Sequence, residues 1–323
     1  MISILKSALS IICLSALTVA VNAQDFPNKS IKIVVGQGAG GGIDTLARII
    51  SQKMSVDMGQ AVVIENKTGA GGIIATEYVA KAPADGYTLL MGPIGNMVFT
   101  PILNKQLRYS TTKDFAPIST VATFPLIAVV TPSSNIKSIA ELVAFMKANP
   151  NKSNYGGSGP AFQFASELFR IKTNTSGEFI QYKSTSETIT ALISGDLLTS
   201  MVDSGPAIAS INSGAIRALA VSSPTRMAAL PNVPTMAELG LPDVEFRFWA
   251  ALFAPAGTPP NVVKILENEI NRVLKMPDVI NLMANNQVTA SPSTSDELSK
   301  LVASDLQRWG QVAEKSKING AQP

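Results

Sequence analysis

The sequence predicts an α/β protein of two domains, each a mostly parallel sheet flanked by helices, with a cleft between them. Three observations carry this. Short β-branched runs alternate with stretches of helical spacing, which demands parallel strands joined by crossover helices. A chain of 323 residues is long for one core and divides most naturally into two. Helical patterns then close the chain after its last long strand, and such a tail must pack back on the first sheet, making that domain discontinuous.

The elements follow in order. Residues 1–23 read as an export signal: Lys6 gives a positive start, residues 8–21 an apolar stretch, and Val21-Asn22-Ala23 a small-residue cleavage site. The stretch is short for a membrane span, no stop-transfer pattern follows, and Ile12 before Cys13 argues against a lipid anchor. Cleavage after Ala23 leaves a periplasmic chain with no cysteine, held together by core burial alone. Ile31-Lys32-Ile33-Val34-Val35 predicts a first strand that stops at glycines. Ile43, Leu46, Ala47, Ile50, Met54 and Met58 place a helix over 43–58, ended by Gly59. A strand over 61–65, a helix over 73–81, a turn at Pro83-Ala84-Asp85-Gly86 and a strand over 87–91 continue the alternation.

In the middle, strands are expected at 126–130, 153–155, 179–182, 199–202 and 215–221, with helices at 138–148, 160–171 and 187–193. Ser138 and Glu141 form a capping box. A proline-punctuated stretch, an aromatic strand over 244–254 and helices at 260–275, 279–284 and 295–315 complete the chain. Domain one is thus 24–124 plus 246–323 and domain two 125–245, crossing near 115–125 and 244–253.

Composition removes whole classes of function. The chain has no histidine, which excludes Ser-His-Asp and Cys-His machinery and His-ligated zinc. Only 15% of residues are charged and the formal net charge is +3 without a basic cluster, so nucleic acid is not the partner. No carboxylate pair, activated nucleophile or metal cluster can be assembled. Binding without chemistry, and without a cofactor, is the expectation.

The strongest local signal is the glycine-rich turn Gly36-Gln37-Gly38-Ala39-Gly40-Gly41-Gly42, between the first strand and a helix opened by Ile43-Asp44. Glycines let backbone approach a ligand, and free amides at a helix start bind an anion. A rival reading takes Gly36-x-Gly38-x-x-Gly41 with Glu65 as a dinucleotide fingerprint, making the chain an exported NAD-type oxidoreductase. Further glycine turns occur at Gly69-Ala70-Gly71-Gly72 and Gly156-Gly157-Ser158-Gly159. The first and third belong to different halves, so two helix starts facing across a cleft would clamp an anion between them. On that basis a bulky side chain at Gly41 should block the ligand.

A further series of motifs begins with Asp25-Phe26-Pro27-Asn28-Lys29-Ser30 leading into the first strand, then Gly40-Gly41-Gly42-x-Asp44-x-x-Ala47-Arg48. It continues through Glu65-Asn66-Lys67-Thr68-Gly69, Ala82-Pro83-Ala84-Asp85-Gly86-Tyr87, Lys113-Asp114-Phe115-Ala116-Pro117, Leu230-Pro231-x-Val233-Pro234-Thr235 and Ala254-Pro255-Ala256-Gly257-Thr258-Pro259. In these motifs and their order the chain resembles the Bug receptors, extracytoplasmic solute-binding proteins of tripartite tricarboxylate transporters. The resemblance implies a periplasmic-binding-protein fold of type II-like, two-domain form that closes on a small organic carboxylate through main-chain amides. It implies membrane permease subunits as partners, or a signalling partner if the role is sensing, and a monomer.

The chain departs from that family where ligand choice is made. Gly36-Gln37 replaces the usual Pro-Phe, Phe162-Gln163 a common Ser-His, and Ala250-Ala251 follows Trp249 in place of an aromatic and Gly. The candidate ligand-binding set is therefore Gln37, Gly38, Ala39, Gly40, Gly41, Gly42 and Asp44 from the first turn, and Gly92, Pro93 and Asn96 after the third strand. Gly157, Ser158, Gly159, Phe162, Gln163, Lys183, Asp203 and Trp249 complete it. Asp203 would accept from a ligand amino or hydroxyl group, or else cap the loop at Ser204-Gly205. Asp44 would serve the helix start electrostatically and pair with Arg48 one turn on. The loss of Ser-His favours a ligand with an apolar or aromatic body.

Overall fold

The computed structural model describes residues 26–157, 160–182, 184–316 and 318. The expected export signal, its cleavage site, Ser158, Gly159 and Lys183 lie outside the described residues.

β1 (Ile31–Val35) is sandwiched. Ile31, Ile33 and Val35 meet Leu46, Ala47 and Ile50 of α1 (Gly42–Asp57), while Val34 points the other way to Ala75 and Val79 of α2 (Ile73–Ala80). A parallel strand covered on both faces must be apolar along its length. The one polar residue, Lys32, reaches outward to Glu65, 2.6 Å away. β2 (Val62–Asn66) and β3 (Thr88–Pro93) flank β1 in parallel register.

β4 (Phe115–Val130) is 16 residues long and belongs to both halves. From Phe115 to Pro125 it runs antiparallel to β9 (Arg247–Pro255), which itself pairs β3. From Leu126 onward it pairs β7 (Thr199–Asp203), and from Ile127 also β8 (Arg217–Val221), both antiparallel. Beyond β7 lie β5 (Asn154–Gly157) and β6 (Glu178–Gln181), parallel to each other, with β5 also parallel to β7. β10 (Thr289–Ala290) pairs β4 at Ala122 and Thr123.

The fold is thus the expected two-domain α/β architecture, with a refinement. Each sheet has a parallel trio, and antiparallel strands supplied by the crossings complete it. Strands returning from one half to the other reverse direction, which sequence periodicity does not reveal.

Four further helices cover the second half. They are α4 (Ile139–Ala148), α5 (Pro160–Thr173), α6 (Thr185–Ser194) and α7 (Ser204–Asn212). α4 begins as predicted, the Glu141 amide donating to the Ser138 hydroxyl. α7 occupies a stretch read from sequence as a loop. Gly205 and Pro206 look like turn punctuation but fall in its first turn, where the missing proline amide costs nothing. A wide helical turn at Gly95–Phe99, running into the short α3 (Thr100–Leu103), was likewise not anticipated.

The tail divides its contacts. α8 (Pro260–Val273) and α9 (Pro277–Asn285) pack Leu266, Ile270, Val279 and Met283 into the core of β1 and α1. α10 (Ser295–Ser316) instead lies over β4 and against α5, so it touches both halves. Its Trp309 sits edge-on to Phe99, Phe164 and Phe246, with ring centroids 5.0–5.9 Å apart.

Candidate binding cleft

The turn after β1 is held from within. Asp44 is 1% exposed, and its carboxylate accepts from the Gly40 amide at 2.8 Å, Arg48 Nε at 2.9 Å and Asn66 Nδ2 at 2.8 Å. Asn66 Nδ2 also donates to the Gln37 carbonyl, and Arg48 Nη2 to Asn66 Oδ1. These bonds, Arg48 foremost, hold the Asp44 carboxyl at about 2, well under its ordinary value. Asp44 therefore organises the turn from behind and leaves no oxygen for a ligand.

What the turn does offer is amides. Gly40 N–H is spent on Asp44 and Gly41 N–H on the Gly38 carbonyl. Those of Gly42, Ile43 and Asp44, the first turn of a 16-residue helix, have no partner among the described residues. They are the positive end of α1.

Opposite this turn stands the unanticipated α7. A cleft of about 300 Å³ is lined by Gly40, Gly42, Thr45, Leu46 and Ile49 on one side and Asp203, Ser204, Gly205 and Pro206 on the other. Phe124 of β4 and Met283, Asn286, Gln287 and Val288, at the corner between α9 and β10, also line it. The Ser204 hydroxyl donates to the Gln287 carbonyl at 3.3 Å, tying the start of α7 to that corner. Gln287 is held at φ +58°, a left-handed conformation rare for a side-chain-bearing residue.

Asp203 stands at the N-cap of α7, yet its side chain makes no capping bond. Its carboxyl is hydrogen-bonded to the side chain of Thr185 and to its own backbone amide, while Oδ1 is buried without a partner in a neighbouring residue. Burial pushes its pKa up.

The glycines divide by role. A Cβ on Gly36 would come within 2.8 Å of Gly72 Cα, so Gly36 lets two glycine turns touch. Glu65, the acid of the dinucleotide reading, is paired with Lys32 and Lys67, which lower its pKa. A Cβ on Gly41 would press on the Gly38 carbonyl and Gln37 inside the turn, whereas one on Gly42 meets open space. Gly42, not Gly41, is where a side chain would enter the cleft. Gly157 is a packing position, since a Cβ there would strike Phe162 at 2.5 Å.

Several candidates lie elsewhere. Trp249 is 2% exposed and donates its indole N–H to Asp305 of α10 at 2.8 Å. Asn96 is turned to the second glycine turn, donating to the Gly71 carbonyl, and a Cβ on Gly92 would abut Met97 and Phe253. Pro93 ends the buried β3. Phe162 and Gln163 are half-buried, and Phe162 lies 6.1 Å from Phe248, which is 6.2 Å from Phe124. Gln37, Gly38 and Ala39 are exposed at the turn. The structure thus joins Gly40, Gly42 and Asp203 in one cleft. Sequence reasoning missed Phe124 and the corner between α9 and β10. The signal for α7 was present in Asp203 followed by an early proline.

The comparisons agree with this architecture. The model of the tripartite tricarboxylate transporter family receptor matches residues 46–318. Protein BugT of Bordetella pertussis is 32% identical, the match covering 94% of each chain. An R. palustris protein solved with adipate is 30% identical at a TM-score of 0.78, covering 91% of this chain and 99% of that one. MatC from Rhodopseudomonas palustris, solved with bound malate, is 28% identical at 0.73, covering 89% and 99%. The chain belongs to the tripartite tricarboxylate transporter receptor family, as a solute receptor of the Bug type and not an enzyme.

Proposed function

We propose that this chain is a periplasmic receptor that captures a small organic carboxylate between its two halves for a tripartite tricarboxylate-type transporter. The observation that carries the reading is the cleft in which Gly42, at the amide-bearing start of α1, lies opposite the start of α7. A carboxylate at the Gly42, Ile43 and Asp44 amides needs no lysine or arginine, because the helix end supplies the positive potential. The solved relatives with adipate and malate support a carboxylate as the ligand. The leader sequence supports export, and no described helix is long and apolar enough to cross a membrane.

β4 spans both halves and β9 begins where the chain returns from the second to the first, so the halves would hinge about these two crossings. Membrane permease subunits would receive the closed form of a monomeric receptor.

Thermal unfolding of the mature chain from Gln24 against mono-, di- and tricarboxylates tests the reading. At least one should raise Tm, and small-angle scattering should report a more compact particle with it. A set in which no carboxylate shifts Tm refutes the assignment. NADH fluorescence should stay unchanged on titration with the protein.

A further inference from the structure

The cleft is chemically lopsided. At one end are the α1 amides, fit for an anion. At the other stands Asp203, the one charged side chain among the described residues that line it. Its Oδ1 is buried without a partner, and a buried acceptor left unpaired is costly, so it awaits a donor. The start of α7 cannot offset that charge as fully as α1 would, because Pro206 contributes no amide to its first turn.

Between the two ends much of the wall is apolar, although Thr45, Asn286 and Gln287 also line the cleft. Leu46 and Ile49 of α1 face the cleft together with Phe124 and Val288. Phe124 continues into Phe248 and Phe162, so that wall is backed by aromatic rings.

We propose that the preferred ligand is a monocarboxylate with an apolar body and a hydroxyl or ammonium donor that reaches Asp203, in preference to a di- or tricarboxylate. This rests on the receptor reading above and names the ligand class for the same cleft. The single carboxylate sits on the α1 amides, the body lies against Phe124 and Val288, and the donor satisfies Asp203 Oδ1. A second carboxylate would meet Asp203 instead, with no cation among the described lining residues to separate them.

Calorimetry with four probes tests this: 3-(4-hydroxyphenyl)propionate, 3-phenylpropionate (the same body without the hydroxyl), adipate and citrate. The hydroxyphenyl acid should bind about tenfold or more tighter than phenylpropionate, since only it carries a far-end donor to pair the buried oxygen. Both should bind tighter than adipate and citrate. In Asp203→Asn the advantage of the hydroxyphenyl acid should shrink and adipate should gain affinity. Asp203→Ala checks that any change follows the charge and not the amide. Phe124→Ser should weaken the two aromatic acids and spare adipate. Lys147→Met, at an exposed position in the last turn of α4, should leave the order of the four unchanged.

Tighter binding of adipate or citrate by the unaltered protein overturns this inference and leaves the receptor reading standing. An undiminished advantage of the hydroxyphenyl acid in both Asp203 variants, or a reordering in Lys147→Met, overturns it too. If neither these four nor the wider carboxylate set binds, the receptor reading itself falls.

Discussion

Replacing Asp44 by asparagine should abolish a specific piece of the protein's pH dependence. In the native chain the Asp44 carboxylate accepts from a backbone amide, a guanidinium and an amide side chain while 1% exposed. Its pKa is consequently held at about 2 against an ordinary 3.8. That gap corresponds to roughly 2.4 kcal/mol at ~1.36 kcal/mol per pH unit. Arg48 is half-exposed and partly screened by solvent, so about 2 kcal/mol is the working figure. The sign follows from the direction. A carboxyl held below its unfolded value stabilises fully above pH 3.8, and the contribution drains away as pH falls through about 2. Urea unfolding of the native and Asp44→Asn chains at pH 7, 5, 3.5 and 2.5 measures this directly. The native chain should be the more stable by about 2 kcal/mol at pH 7, with the gap narrowing toward pH 2.5. Other carboxylates are common to both proteins and cancel in the difference. Two stability curves that run parallel across this range would refute the claim that Asp44 holds the turn as an ion.

Gly42→Val should fold normally, because nothing lies within reach of its Cβ, yet lower carboxylate affinity by about tenfold or more in calorimetry. Gly40→Val should instead lose ~1–2 kcal/mol of stability in urea unfolding, since Gly40 sits at φ +82°. Ser204→Ala removes the hydroxyl that binds the Gln287 carbonyl. A net hydrogen bond of ~1 kcal/mol lost from the closed form should weaken binding about fivefold, with a more expanded scattering profile. Glu167→Ala breaks a buried group in which Glu167 pairs with Arg170 and accepts from the Tyr155 hydroxyl. It should cost roughly 3 kcal/mol, read as a fall in Tm, without changing which carboxylates bind.

Much of the fold was legible because the strands of the parallel trios are short, apolar and bounded by glycine. β1 and α1 came from spacing alone, within a residue or two at each end. The sharing of β4 between two sheets was only half legible: a crossing near 115–125 and a strand at 126–130 were expected, but not one strand running from Phe115 to Val130 and through Pro117 and Pro125. Both prolines fit because they lie where β4 pairs β9 next to register shifts or the change of partner. At the cleft, Asp203 and the glycine turn were visible as residue types. Their partners were not, because Phe124, Gln287 and Val288 come from elements far apart in sequence, and no local pattern encodes their meeting. Trp249 shows the opposite failure. An aromatic on the crossing strand suggested a pocket wall, but its indole N–H found Asp305, a buried partner some fifty residues on.

The neighbour of β3 in the sheet is β9, and Met91 sits opposite Leu252. During synthesis β3 therefore presents an unpaired edge until more than 150 further residues have been made. At ~5–20 residues per second that interval is roughly 10–30 s. Through it, the amino-terminal βα units are a template lacking its closing strand, exposed to any passing extended segment. Chaperone capture should act on nascent chains longer than about 90 and shorter than about 255 residues, and fade once β9 has arrived. The topology that lets two halves share a strand thus also delays the moment at which the first half can finish folding.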